Sequence, residues 1–181
     1  MEKVKCWLSY ALSPEASSIW AMAQFLAIVI SLAFIYRQIK LHRYSNMLNM
    51  ISAIDTRWNS AEFLKHRQDI CNRYNAGKLP INREEGEVLG FFEDLGIFLK
   101  KGVFEIDVIW DKYSYYIEHY WAMYEPHIKE FRTSHNDNTW YDKFEYLHQQ
   151  MARQSKKNKI NNTAKTQAQI TTFIGGELGS A

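Results

Sequence analysis

The sequence predicts an all-α protein: an N-terminal transmembrane helix that continues into a cytosolic helical bundle. Three observations carry this. Residues 16–36 read ASSIWAMAQFLAIVISLAFIY, 21 residues without a charge, the length a helix needs to cross a hydrocarbon core of roughly 30 Å. Helix starts and stops recur along the rest of the chain. No stretch alternates apolar and polar residues as a half-buried strand would.

The elements follow in order. Ser13-Pro14-Glu15 opens the first helix, with serine as N-cap, proline at the first helical position and an acid in the first turn. No proline or glycine follows until Gly77, so the span should run unbroken into the cytoplasm to about residue 54. Asn59-Ser60-Ala61-Glu62 starts a second helix, ending at Asn75-Ala76-Gly77. After Pro80, Asn82-Arg83-Glu84-Glu85 has capping-box spacing. Its helix stops at Lys100-Lys101-Gly102, cations in the last turn and glycine as terminator. A long helix begins near Asp107 and should break or kink at Pro126. A last helix runs from Thr139 to Ser155. The domain reading is an extracytoplasmic N-terminus over 1–15, the span over 16–36, a cytosolic helical domain over 37–155 and a disordered basic, polar tail over 156–181. The closing run, residues 175–181, has the look of a cloning scar.

Composition narrows the function. Aromatics at 15% and charges at 23% favour a folded domain over a disordered one. A net charge of +2 does not by itself announce a nucleic-acid binder. Cys6 and Cys71 flank the span on opposite sides and cannot pair within one inserted chain. No Cys/His spacing suggests zinc, and no metal or cofactor is expected. The apolar run exceeds a secretory h-region and lacks a small-residue cleavage site. Lys3 and Lys5 are balanced by Glu2 and Glu15, whereas Arg37, Lys40 and Arg43 follow the span with no acid until Asp55. Positive residues stay inside, so the N-terminus should face out and the domain should lie in the cytoplasm.

Four constellations bear on chemistry. Ser17, Gln24, Ser31, Gln38, Ser45 and Ser52 recur every seven residues, a spacing that holds one face only if the helix supercoils with neighbours. His42, Asn46, Asn49 and Thr56 widen that face; Leu41, Tyr44, Met47, Leu48, Ile51, Ile54 and Trp58 lie mostly opposite. Gln24 falls mid-span, where an unsatisfied amide is costly. Polar groups at that depth usually meet another helix or water. The stripe is compatible with a Gln/Ser contact in a small oligomer, a ring lining a polar pore, or a monomeric anchor. As a pore lining it comprises Ser17, Gln24, Ser31, Gln38, His42, Ser45, Asn49 and Ser52.

Arg37 and His42 match the loose R-x(4–6)-H signature of HEPN ribonucleases, in which the pair assists attack by an RNA 2′-hydroxyl; Arg132 and His135 are too close in sequence to fit it. Phe91-Phe92-Glu93-Asp94-Leu95-Gly96 reads as core, with Glu93 a buried anchor against Arg or Tyr, Gly96 a close helix approach and Trp121 a structural residue. Arg153, Lys156, Lys157 and Lys159 form a basic run that can be a solvated tail or a contact for anionic lipid or RNA. No phosphate-binding loop, nucleophile elbow or metal-binding helix is present, so no enzyme is expected.

Phe91-Phe92-Glu93-Asp94-Leu95-Gly96, Gly102, Ile106-Asp107 and Tyr120-Trp121, with the apolar N-terminus and the Gln38-Ile39 exit, resemble a bacterial family of single-span proteins with a helical cytosolic domain. Within it, size and layout are most similar to the membrane accessory proteins of type VI-B CRISPR systems, companions of an RNA-guided RNase effector. The resemblance implies a divergent HEPN-like fold, antiphage defence at the bacterial inner membrane and a permeabilising assembly that strengthens interference. It implies a ring-like homo-oligomer, membrane lipids and the effector as partners. The alternatives are a membrane-tethered module that recruits the effector and, beyond it, a HEPN-type ribonuclease.

Overall fold

The computed structural model describes residues 14–78, 83–160 and 165–179, without the side chains of 14–17 and 83–84. Among the described residues there are six helices and no strand: α1 (Pro14–Trp58), α2 (Ala61–Asn75), α3 (Arg83–Lys100), α4 (Ile106–His135), α5 (Asp142–Lys157) and α6 (Gln167–Leu178). By internal contacts the chain divides into two units, Met1–Ile51 and Ser52–Ala181.

The first unit holds most of α1. Every side chain from residue 18 to 46 is exposed, including Phe25, Leu26, Ile30, Phe34 and Tyr36. By length and composition this helix is able to cross a membrane, and none of its apolar window is buried. Ser13, Cys6 and the rest of residues 1–13 lie outside the described residues.

The second unit begins fifteen or so residues later than the sequence reading placed the cytosolic domain. Residues 37–51 supply no buried side chain, whereas Trp58, 4% exposed, enters an aromatic core. Its ring lies 5.0 Å from Phe91, 4.7 Å from Tyr116 and within 6 Å of Phe63, Phe92 and Tyr113. That burial explains why α1 continues to Trp58 instead of stopping near residue 54. Asp55, one turn earlier, accepts from Lys112 and Tyr113 of α4.

Ser60 caps α2 through a bond from the Phe63 amide, 3.2 Å. Gly77 (φ 64°) and Gly102 (φ 68°) end α2 and α3 in the left-handed region, where a side chain would be strained. Asn82 lies outside the described residues. Glu85, its expected capping-box partner, is fully buried and accepts from the Arg73 Nε at 3.0 Å. α4 is not interrupted at Pro126. A mid-helix proline costs about 3 kcal/mol, and burial of Met123, Tyr124 and Ile128 on both sides of it offsets that. α4 ends at Asn136 (φ 50°). α5 begins at Asp142, three residues after the expected Thr139.

The expected disordered tail is corrected. α5 runs through Lys156 to Lys157, and residues 167–178 form a sixth helix packed on α2 and α4. Thr166 and Gln169 make a reciprocal capping box, and Ile170, Phe173 and Ile174 are buried at helical spacing. Glu177, inside the supposed scar, is a buried ion-pair partner.

Candidate functional site: the polar face of the long helix and a buried ion-pair node

On α1, Gln24, Ser31, Gln38, His42, Ser45, Asn49 and Ser52 are all exposed, and the Ser17 side chain is outside the described residues. Ser31 satisfies its hydroxyl on the Ala27 carbonyl, 2.7 Å away, and Thr56 donates to the Ser52 carbonyl, 2.8 Å away. Back-bonded hydroxyls of this kind need no second helix. Gln24 differs: its amide has no partner among the described residues, in the middle of the apolar stretch. On a straight helix the seven-residue stripe drifts by about 100° over the five heptads from Ser17 to Ser52. It aligns only where α1 winds around neighbours.

Arg37 and His42 are both exposed and sit about 140° apart around the helix. They do not converge within one chain. Arg153, Lys156, Lys157 and Lys159 are exposed at the C-terminal end of α5. Lys165, farther on, is tied to Glu118 at 2.6 Å.

The structural trio sits at helix junctions. Glu93 is half-buried, and its two carboxylate oxygens accept the Lys143 and Phe144 amides at 3.2 and 2.7 Å. It caps the start of α5 from α3, where the sequence reading had placed it against an Arg or Tyr side chain. Burial pushes its carboxyl up, against the pull of the two amides. Gly96 lies where α3 meets α5; a Cβ there would stand 2.1 Å from the Lys143 carbonyl oxygen. Trp121 is buried edge-on to Phe144 and stacked on His148 at 5.3 Å. Burial drives the His148 imidazole down, and does the same to His119, whose ring stacks on Phe173 of α6 at 4.7 Å.

A node that the sequence did not disclose joins the end of α1 to α6. Arg67 of α2 spreads its guanidinium 4.2 Å over the Trp58 ring and pairs with Glu177 at 3.2 Å. Tyr120 donates to the same carboxylate at 3.3 Å, and Gln68 donates to the Glu177 backbone carbonyl. Both charged side chains are less than a tenth exposed. Burial raises the Glu177 carboxyl, opposed by Arg67 and by Tyr120. Cys71 is buried beside it, its thiol pushed up to about 12 by burial and the Glu177 charge. A thiol held that high is a poor nucleophile at neutral pH. The signal available in sequence was the Thr166–Gln169 capping-box spacing ahead of Ile170, Phe173 and Ile174.

Residues 21–151 match the family described as Domain of unknown function (DUF4760), and the chain belongs to that family. No curated protein and no solved structure matches it.

Proposed function

We propose that this protein is a non-enzymatic membrane effector of antiphage defence that self-associates through α1 and opens a polar passage in the bacterial inner membrane. Its N-terminus faces out and its helical domain faces the cytoplasm, on the strength of Arg37, Lys40 and Arg43 following the apolar run. In this reading Gln24 and Ser31 face the passage within the bilayer, and Gln38, His42, Ser45, Asn49 and Ser52 extend it below. The resemblance to the type VI-B accessory proteins supports coupling to an RNA-guided RNase effector. Detection of phage RNA would then lead to loss of membrane potential and slowed growth.

The observation that carries the reading is Gln24: an amide without a partner among the described residues, on a stretch of helix whose side chains are all exposed from residue 18 to 46. In hydrocarbon such a group is satisfied by another helix or by water, and with one candidate span among the described residues self-association is the route to either. Gln24→Leu and Asn49→Leu should reduce dye entry and protection while leaving expression intact. Unchanged dye entry in both variants would refute the lining. Copurification with the effector by a chain that conducts nothing is the outcome expected of a tethered recruitment module.

A further inference from the structure

We infer that the cytosolic domains join head to tail, the basic end of α5 in one copy entering an acidic groove at the start of α5 in the next. This rests on the self-association proposed above and adds the contact that would build it.

The groove is an open cavity of about 520 Å³ beside α3 and the α4–α5 loop. Its lining carries Glu87, Glu93, Asp94 and Asp137 against one cation, Arg57. Arg57 reaches Glu87 at 3.3 Å and Asp94 at 3.6 Å, so the groove keeps a net negative charge. Trp140 is on its rim, 44% exposed. The wall is opened by Gly86 and Gly90, one turn apart on α3. A Cβ added at either meets nothing within 4 Å, so packing within the chain does not require glycine there. Glycine inside a helix is nevertheless less stable than alanine. Room for something that approaches from outside accounts for both.

The complementary surface is at the other end of the same helix. Arg153, Lys156 and Lys157 lie on the last turns of α5 and Lys159 just after it, all exposed. None of the four has an ion-pair partner among the described residues. Asp107, which bonds this end of α5, is engaged by the Gln154 amide. From Asp142 to Lys157 α5 is about 22 Å long at 1.5 Å per residue. The two ends of α5 are thus more than two Debye lengths apart at physiological salt, so attraction between the groove at one end and the basic run at the other is screened within a subunit. Two different, complementary surfaces on separate sides of one subunit make a heterologous contact. Such contacts propagate from copy to copy, and they form a ring where the rotation between copies closes and an open filament where it does not.

The test uses the full-length protein in detergent, with mass read by light scattering. Two variants each reverse one side: Lys156→Glu with Lys157→Glu, and Glu87→Lys with Asp94→Lys. Each alone should lose the large species. Mixed together they should regain it, because the reversed end of one fits the reversed groove of the other. Gly90→Leu, whose Cβ meets nothing within 4 Å and whose larger side chain would occupy the groove, should also lose the large species without lowering the unfolding temperature. Variants that keep the parent mass, or a mixture that stays as small as its parts, overturn the contact while leaving self-association through α1 standing. A parent that is itself monomeric removes both.

Discussion

Truncating Glu177 to alanine should unfold the domain far more readily than its place near the C-terminus suggests. The Glu177 and Arg67 side chains are 6% and 8% exposed, so the variant leaves a guanidinium buried with ring faces alone, Trp58 at 4.2 Å and Tyr116 at 5.8 Å, to offset its charge. Breaking a buried pair from one side costs about 3–5 kcal/mol. Tyr120 also loses its acceptor at 3.3 Å. At roughly 3–4 °C per kcal/mol for a domain of this size, Tm should fall by about 9–20 °C. Glu177→Gln should cost much less, because burial already opposes the charge and the amide oxygen still accepts from Arg67 and Tyr120. Arg67→Met with Glu177→Leu should recover most of the loss, since apolar replacement of both partners is often neutral or better. Circular dichroism melts of the detergent-solubilised full chain measure all three. A shift below 2 °C for Glu177→Ala would refute the argument that this pair clamps α6 to the domain.

Other consequences follow from the same packing. Gly96→Ala puts a methyl against the Lys143 carbonyl, and backbone cannot yield as a flexible side chain does; urea titration should show a loss of about 1–3 kcal/mol. Glu93→Ala removes the acceptor of two amides at the start of α5 and should cost about 1–2 kcal/mol by the same titration. His119 and His148 have lowered pKa values in the folded domain. Their stabilising contribution is therefore present above the unfolded value of about 6.5 and lost as pH falls from there through the folded values. Glu93 and Glu177, raised by burial, act in the opposite sense and favour the folded state as pH falls toward their unfolded range. Replacing His148 by phenylalanine, which can still stack on Trp121, should flatten the decline in Tm between pH 6.5 and 5; an unaltered pH profile would contradict the assignment.

Helix starts and stops were readable because they are local. Ser60 acts through its side-chain hydroxyl three residues along, and Gly77 and Gly102 through their own backbone, so the residues that decide them are close in sequence. The elements that misled are those decided by distant partners. Glu85 has capping-box spacing, and nothing local shows that its carboxylate is buried against Arg73 on α2. Pro126 should stop a helix, yet buried Tyr124 and Ile128 hold α4 through it. Polar composition and paired glycines hid α6, whose stability comes from Phe173 and Glu177 meeting residues fifty and more positions away. The stripe on α1 was legible by period alone, while Arg37 and His42 match a motif by spacing and diverge around the helix.

The most direct test of self-association is the mass of the full-length protein in detergent, by light scattering. A single large, closed oligomer is the predicted result. A monomer or dimer, with one candidate span among the described residues of each chain, cannot enclose a passage and would contradict it.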